Sequence, residues 1–236
     1  MEVSTKSFFA PIVGVLYAPR TAFQIVAPTA RWKGVLSFTF VMTAIASAMV
    51  LETEVGRYAL LDWWEQTALT FGQQLDDRQY AALAMASEQG WLHAVTSALV
   101  TGPVLTVGLS ACLRVAFRNS TTPPVRYQQV LTIVAHAGVI LAVRQMVTAP
   151  SIYFRDTLAS PLTLGALFSG LDEISPAAQI LGALDLFVLW WIIVLAVGTS
   201  VLYQRPAPRL AVAFLGTYVA IAAIIAAAAA LTGGTS

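Results

Sequence analysis

The sequence predicts an all-α, polytopic membrane protein built as a bundle of five transmembrane helices. Two observations carry this prediction: the chain is poor in charge, and its apolar residues are gathered into five long segments. Of its 236 residues, 58% are hydrophobic and 11% are charged, and the mean hydropathy is +0.74. In soluble domains about a quarter of the residues are charged. So few charges cannot cover a surface that faces water, so we expect most of the surface to face lipid.

Five apolar segments have roughly the length of a helix that crosses a bilayer, which is about 20 residues. They are residues 34–51, 91–117, 127–147, 180–203 and 210–231. The second segment is interrupted by Gly102-Pro103, and the third is the least apolar because it holds ionisable residues. The first and the fifth contain no charged residue. The pattern therefore predicts five crossings.

The pieces around these segments predict two further helical regions. Residues 1–33 are expected to form a cytoplasmic amphipathic segment whose helix lies on the inner membrane surface, because its apolar residues are mixed with Arg20 and preceded by Lys6. The five-helix domain then occupies residues 34–236, with an external helical insertion at 52–90. Within the insertion, Asp76 and Asp77 are expected to cap a helix that runs to about Glu88 and stops at Gly90.

The distribution of basic residues predicts the orientation, because Lys and Arg are retained on the cytoplasmic side of a membrane. With the N-terminus inside, nine basic residues fall in cytoplasmic pieces, namely Lys6, Arg20, Arg31, Lys33, Arg114, Arg118, Arg126, Arg205 and Arg209. Only three fall outside, namely Arg57, Arg78 and Arg155. We therefore expect a multi-pass protein of the cell membrane, with its N-terminus in the cytoplasm and its C-terminus outside.

Three ionisable residues lie within the predicted helices, where charge is costly and marks a candidate functional position. Arg144 and Asp185 are each expected within roughly 8 Å of the outer edge, at about 1.5 Å per residue. Their similar depth on sequential helices predicts an interhelical ion pair. The pair is either a structural lock between two helices or part of a solute or ion site. His136 lies deeper, as a neutral hydrogen-bonded side chain or as a group that titrates near neutral pH.

The second segment carries a small residue at every fourth position, in the series Ala98, Gly102, Thr106 and Ser110. Such a stripe lets two helices approach closely, so it predicts a helix-packing face. Pro103 is expected to bend this helix, since proline cannot donate the backbone hydrogen bond of a helix interior. The bend is either architectural or a hinge of the kind that transporters use.

Several function classes receive no support from the sequence. It contains no phosphate-binding loop, no zinc-protease motif and no nucleophile elbow, so we do not expect an enzyme or a cofactor. Cys112 is the only cysteine and the two histidines are isolated, so no metal site is expected. The net charge of +1 gives no reason to expect nucleic acid as a partner.

Two stretches carry a family resemblance. One begins with Leu184-Asp185-Leu186-Phe187 and continues through Trp190 and Gly198 to a basic hairpin at residues 205–209. The other is Val15-Leu16-Tyr17-Ala18-Pro19-Arg20 with Phe23, followed by Trp32 before the first segment. In these stretches the chain resembles the bacterial type of the Yip1 family, which are small five-helix membrane proteins. One departure is that residues 136–139 hold no proline, whereas the family often has one inside the third helix.

The resemblance implies a bacterial source and a location in the inner (cell) membrane. Eukaryotic members are adaptors that contact Rab-type GTPases through a longer cytosolic region. This chain has about thirty residues before the first segment, so that activity is not implied.

Two functions follow as hypotheses. One is a membrane scaffold or accessory protein that acts through lipids and through a protein partner or a second copy of itself. The alternative is a small oligomeric transporter or channel that uses Arg144, Asp185 and His136.

Overall fold

The protein is helical in a computed structural model that describes residues 5–119, 124–155, 162–167, 181–182 and 184–233. Five helices are long and apolar enough to cross a membrane, as the sequence predicts. We call them spans 1 to 5. They are Lys33–Leu51, Gly90–Ala116, Tyr127–Ile152, Leu186–Tyr203 and Ala207–Ala228. The helices that contain spans 3 and 5 continue to Arg155 and Gly233.

Span 4 begins six residues later than the predicted segment 180–203. Residues 180 and 183 lie outside the described part of the chain. Leu181 and Gly182 are helical, whereas Leu184 and Asp185 are not. The backbone here pairs instead with residues 162–164: Leu186 N–H donates to the Leu162 carbonyl at 2.9 Å, and Leu164 N–H donates to the Leu184 carbonyl at 2.8 Å. This antiparallel bridge between Thr163 and Asp185 fixes the position at which span 4 starts.

Two spans contain a local irregularity. In span 2, the π-helical turn Ser97–Thr101 directly precedes Gly102–Ala116. Pro103 lacks an N–H, and its ring would collide with the carbonyl four residues earlier, so the wider turn accommodates it. Span 3 is interrupted at Gly138, between the helices Tyr127–Ala137 and Val139–Arg155. The third span is therefore interrupted at a glycine, and not at the proline that Yip1 family members often have in their third helix.

The N-terminal segment forms two α-helices, Thr5–Tyr17 and Pro19–Val26, and the 3-10 turn Ala27–Thr29. Pro19 stands at the first helical position, where its missing N–H has no intrahelical partner to lose. Val15 and Phe23 are 0% exposed. These apolar side chains of the segment are thus buried within the protein. The prediction had placed them against the membrane surface instead. That the segment also lies on the membrane surface stays a prediction.

The insertion between spans 1 and 2 contains two helices, Glu54–Thr70 and Asp77–Ser87. The predicted cap is confirmed: Gln79 N–H donates to Asp76 Oδ1 at 2.7 Å, and Asp76 N–H donates to Gln79 Oε1 at 3.0 Å. The predicted stop at Gly90 is wrong, because Gly90 is the first residue of span 2. A Cβ there would lie 2.8 Å from the Leu60 side chain, so close packing explains this glycine.

The chain divides into two compact units, and every boundary between them falls within a span. The first unit comprises residues 1–42, 98–143 and 187–216, and the second comprises 43–97, 144–186 and 217–236. In the first unit, Phe23, Ile133 and Val194 belong to one large apolar core. Gly198 allows this packing, because a Cβ there would lie 3.0 Å from the Phe23 ring. The second unit has two smaller clusters, one around Val50, Ala59 and Ile152 and one around Leu51, Leu60 and Ala94.

Candidate functional site

Arg144 and Asp185 form an ion pair in the second unit. Arg144 Nε donates to Asp185 Oδ2 at 2.8 Å. The side chain of Asp185 is 7% exposed and that of Arg144 is 31% exposed. The predicted ion pair is therefore present, with the carboxylate shielded and the guanidinium partly open.

The backbone holds Asp185 in place on both sides. Its neighbours Leu184 and Leu186 are the residues that bond to Leu164 and Leu162. Asp185 is not inside the fourth helix, as its sequence position suggested, but immediately before it. The carboxylate is therefore carried by a paired extended segment, whose freedom to move is smaller than that of an unpaired loop.

Tyr218, in span 5, is a third member of this site. Its hydroxyl hydrogen-bonds to the backbone of Asp185, and the charges of Asp185 and Arg144 both act on it. The site thus joins span 3, the start of span 4 and span 5 through one charged pair and one phenol. Such a set can neutralise a buried charge and hold the later parts of spans 3 and 5 against the segment that precedes span 4, within the second unit.

Sequence reasoning did not identify Tyr218 or Thr163 as parts of this site. Tyr218 could have been identified from the sequence. Residues 210–231 are otherwise apolar or small, and Thr217 and Tyr218 are the two polar residues among them. No signal identified Thr163, because a single backbone bridge leaves no pattern in the side chains.

His136 belongs to the first unit and is 2% exposed. Its Nδ1 lies 2.8 Å from the Thr132 carbonyl oxygen. Since a carbonyl can only accept, Nδ1 carries the proton, and Nε2 is free of it in the neutral ring. This hydrogen bond agrees with a neutral, satisfied histidine, and it leaves the second ring nitrogen available.

His136 also lines a cleft of about 650 Å³ in the first unit. We call it the N-terminal cleft, because its walls come from residues 11–35 together with span 3. It is lined by Pro11, Ile25, Val26, Thr29, Ala30, Arg31, Trp32, Lys33, Gly34, Val35, Gln128 and His136. Its volume is that of a small-molecule site.

The small-residue series of span 2 forms the more buried side of that helix. Ser110 is 0% exposed and Ala98, Gly102 and Thr106 are partly buried, whereas most residues between them are exposed. A Cβ on Gly102 would overlap the Phe40 ring of span 1. The Ser110 hydroxyl donates to the Thr106 carbonyl at 2.7 Å, so the polar groups of this face are satisfied within the helix.

Within the described ranges, the structure contains no group of three or more His, Cys, Asp and Glu side chains that could hold a metal ion.

The comparisons with known proteins add no relative: no family model, no curated protein and no solved structure matches the chain. The resemblance to the Yip1 family therefore stays a prediction.

Proposed function

We propose that this protein is a non-enzymatic membrane scaffold or accessory protein of the Yip1 type, acting through lipids and through contacts between transmembrane helices. The observation that carries the proposal is the uncovered surface of span 5. In its most apolar stretch, 11% of the residues are buried, against 61% for span 3. A helix this apolar and this little covered needs lipid or another helix around it.

The uncovered side of span 5 has a shape suited to a partner helix. Gly216, Ala220, Ala223 and Ala227 are exposed and lie at intervals of three or four residues. A Cβ on Gly216 would meet nothing within 4 Å. Small residues at such spacing let a second helix approach closely in a membrane. A second copy of this chain or a different membrane protein would fit this side.

The polar site supports a structural role for the intramembrane charges. Arg144 and Asp185 bond to each other, and Asp185 is held by its neighbours' backbone bonds. A transport site needs charges that exchange partners during a cycle. The alternative is an oligomeric transporter that uses Arg144, Asp185 and His136. No specific observation favours it over the structural role.

The experiment is photocrosslinking in native membranes from a reactive side chain placed at Ala223. We expect a covalent adduct with a protein of defined mass, and we expect Gly216→Leu with Ala220→Leu to abolish it. Gly108→Leu is the matched control, because a Cβ on Gly108 also meets nothing within 4 Å but lies on span 2; this variant should keep the adduct. Adducts with lipid alone, or equal loss in the control, would contradict the proposal.

A further inference from the structure

The N-terminal cleft combines an apolar wall with a basic rim. Val26 and Val35 are buried, and Ile25 lines the same space. Arg31 and Lys33 also line the cleft and are exposed. Lys33 Nζ lies 5.7 Å from the centroid of the Trp32 ring, which draws the ammonium group toward an aromatic face. A ligand that satisfies both parts must be amphiphilic and negatively charged.

The start of span 1 adds a second source of positive potential. Lys33, Gly34 and Val35 are its first three residues, and all of them line the cleft. The first backbone N–H groups of a helix have no acceptor inside the helix, and the helix dipole places partial positive charge there. Helix N-termini of this kind bind phosphate groups. Ala30, with φ of 51°, is left-handed and turns the chain just before this start.

A buried side chain points to a ligand independently of the helix end. His136 is 2% exposed and lines the cleft. Its Nδ1 bonds to the Thr132 carbonyl oxygen at 2.8 Å. A neutral imidazole with its proton on Nδ1 accepts a hydrogen bond at Nε2. Gln128, which also lines the cleft, supplies amide groups. Together they suit a hydroxyl group on the ligand.

We infer that the N-terminal cleft binds an anionic phospholipid with a hydroxylated headgroup. The phosphate is held by Arg31, Lys33 and the first backbone amides of span 1. The headgroup hydroxyls bond to Gln128 and His136, and an acyl chain lies along Ile25, Val26 and Val35. The predicted orientation places Arg31 and Lys33 on the cytoplasmic side, so the lipid would come from the inner leaflet. This inference goes beyond the scaffold role and concerns a different surface from span 5.

The test is native mass spectrometry of the full chain in a neutral detergent, titrated with phosphatidylglycerol and with phosphatidylcholine of the same acyl chains. We expect phosphatidylglycerol to bind more tightly. Loss of two charge-assisted contacts in Arg31→Gln with Lys33→Gln should weaken that binding by about tenfold or more. Arg205→Gln with Arg209→Gln is the matched control, because these exposed residues flank the start of span 5 and carry the same charge; it should change affinity less than about twofold.

Two further arms separate a lipid from a soluble phosphate and from general charge attraction. Ile25→Asn changes the apolar wall at a side chain that is 61% exposed, so the fold should tolerate it. It should weaken phosphatidylglycerol binding while leaving any binding of glycerol phosphate unchanged. Equal loss in both charge variants, equal affinity for the two lipids, or competition by glycerol phosphate at comparable concentration would overturn the inference. These variants should leave the crosslinks from Ala223 unchanged, so a failure of the lipid inference can be told apart from a failure of the scaffold proposal.

Discussion

Arg144 Nε and Asp185 Oδ2 lie 2.8 Å apart and join span 3 to the residue that precedes span 4. Only 7% of the aspartate side chain is exposed, so its charge depends on this partner. Removing either member leaves the other without its counter-charge. The pair is therefore the place where a single substitution should disturb the second unit most.

Asp185→Asn should destabilise the protein by about 3 kcal/mol, because Arg144 then loses its counter-charge. The measurement is the temperature at which purified protein in detergent loses its monodisperse size-exclusion peak. Asp62→Asn is the matched control, since Asp62 is exposed and accepts a hydrogen bond from the neutral Gln66 side chain, and it should have little effect. The reversed pair, Arg144→Asp with Asp185→Arg, should recover part of the loss. No difference between Asp185→Asn and Asp62→Asn would refute the structural role of the pair.

Gly102→Val should destabilise the first unit by about 1–3 kcal/mol, because the added side chain overlaps the Phe40 ring. Phe40→Ala in the same chain should relieve part of this cost, which makes the effect specific to the contact. Gly108→Val, six residues further along the same span, has open space around it and serves as the control. Thermal stability in detergent reports all three variants, and equal losses at Gly102 and Gly108 would show that the small-residue face is not a packing face.

Phe23→Ala should cost about 3–5 kcal/mol, since the ring is fully buried in the first unit's core. The measurement is limited proteolysis: we expect Phe23→Ala to be cleaved faster between residues 5 and 30. Tyr17→Ala is the control, because Tyr17 is 84% exposed. This variant should be cleaved at the rate of the unmodified protein. If the N-terminal helices only rest on the membrane surface, the two variants will behave alike.

Asp76→Ala should raise amide hydrogen exchange at the start of the helix Asp77–Ser87, because it removes a cap worth about 1 kcal/mol. Asp77→Asn removes a charge from the same end without touching the cap. Exchange measured by mass spectrometry on the peptide covering this helix should rise clearly more for the first variant. Equal rises would mean that the helix dipole, and not the hydrogen bond from Gln79, supports this end.

The number and type of the spans were predictable from the sequence, because a run of about 20 apolar residues has few other solutions. The cap at Asp76 and the pairing of Arg144 with Asp185 were also predictable, since each rests on a local rule or on helix depth. The buried position of Phe23 was not, because an apolar helical face looks the same whether it meets lipid or protein. The bridge that positions Asp185 depends on residues 20 to 24 positions away along the chain, and it involves backbone atoms that carry no sequence pattern.

The most direct test of the central claim, five crossings with the N-terminus in the cytoplasm, is cysteine accessibility in intact cells. Cys112→Ser gives a chain without cysteine, to which either Gln73→Cys or Gln204→Cys is added. Gln73 lies in the insertion and Gln204 lies between spans 4 and 5, and both are exposed. A membrane-impermeant maleimide should label position 73 in intact cells and position 204 only after the cells are opened. Labelling of position 204 in intact cells, or protection of position 73, would contradict the account.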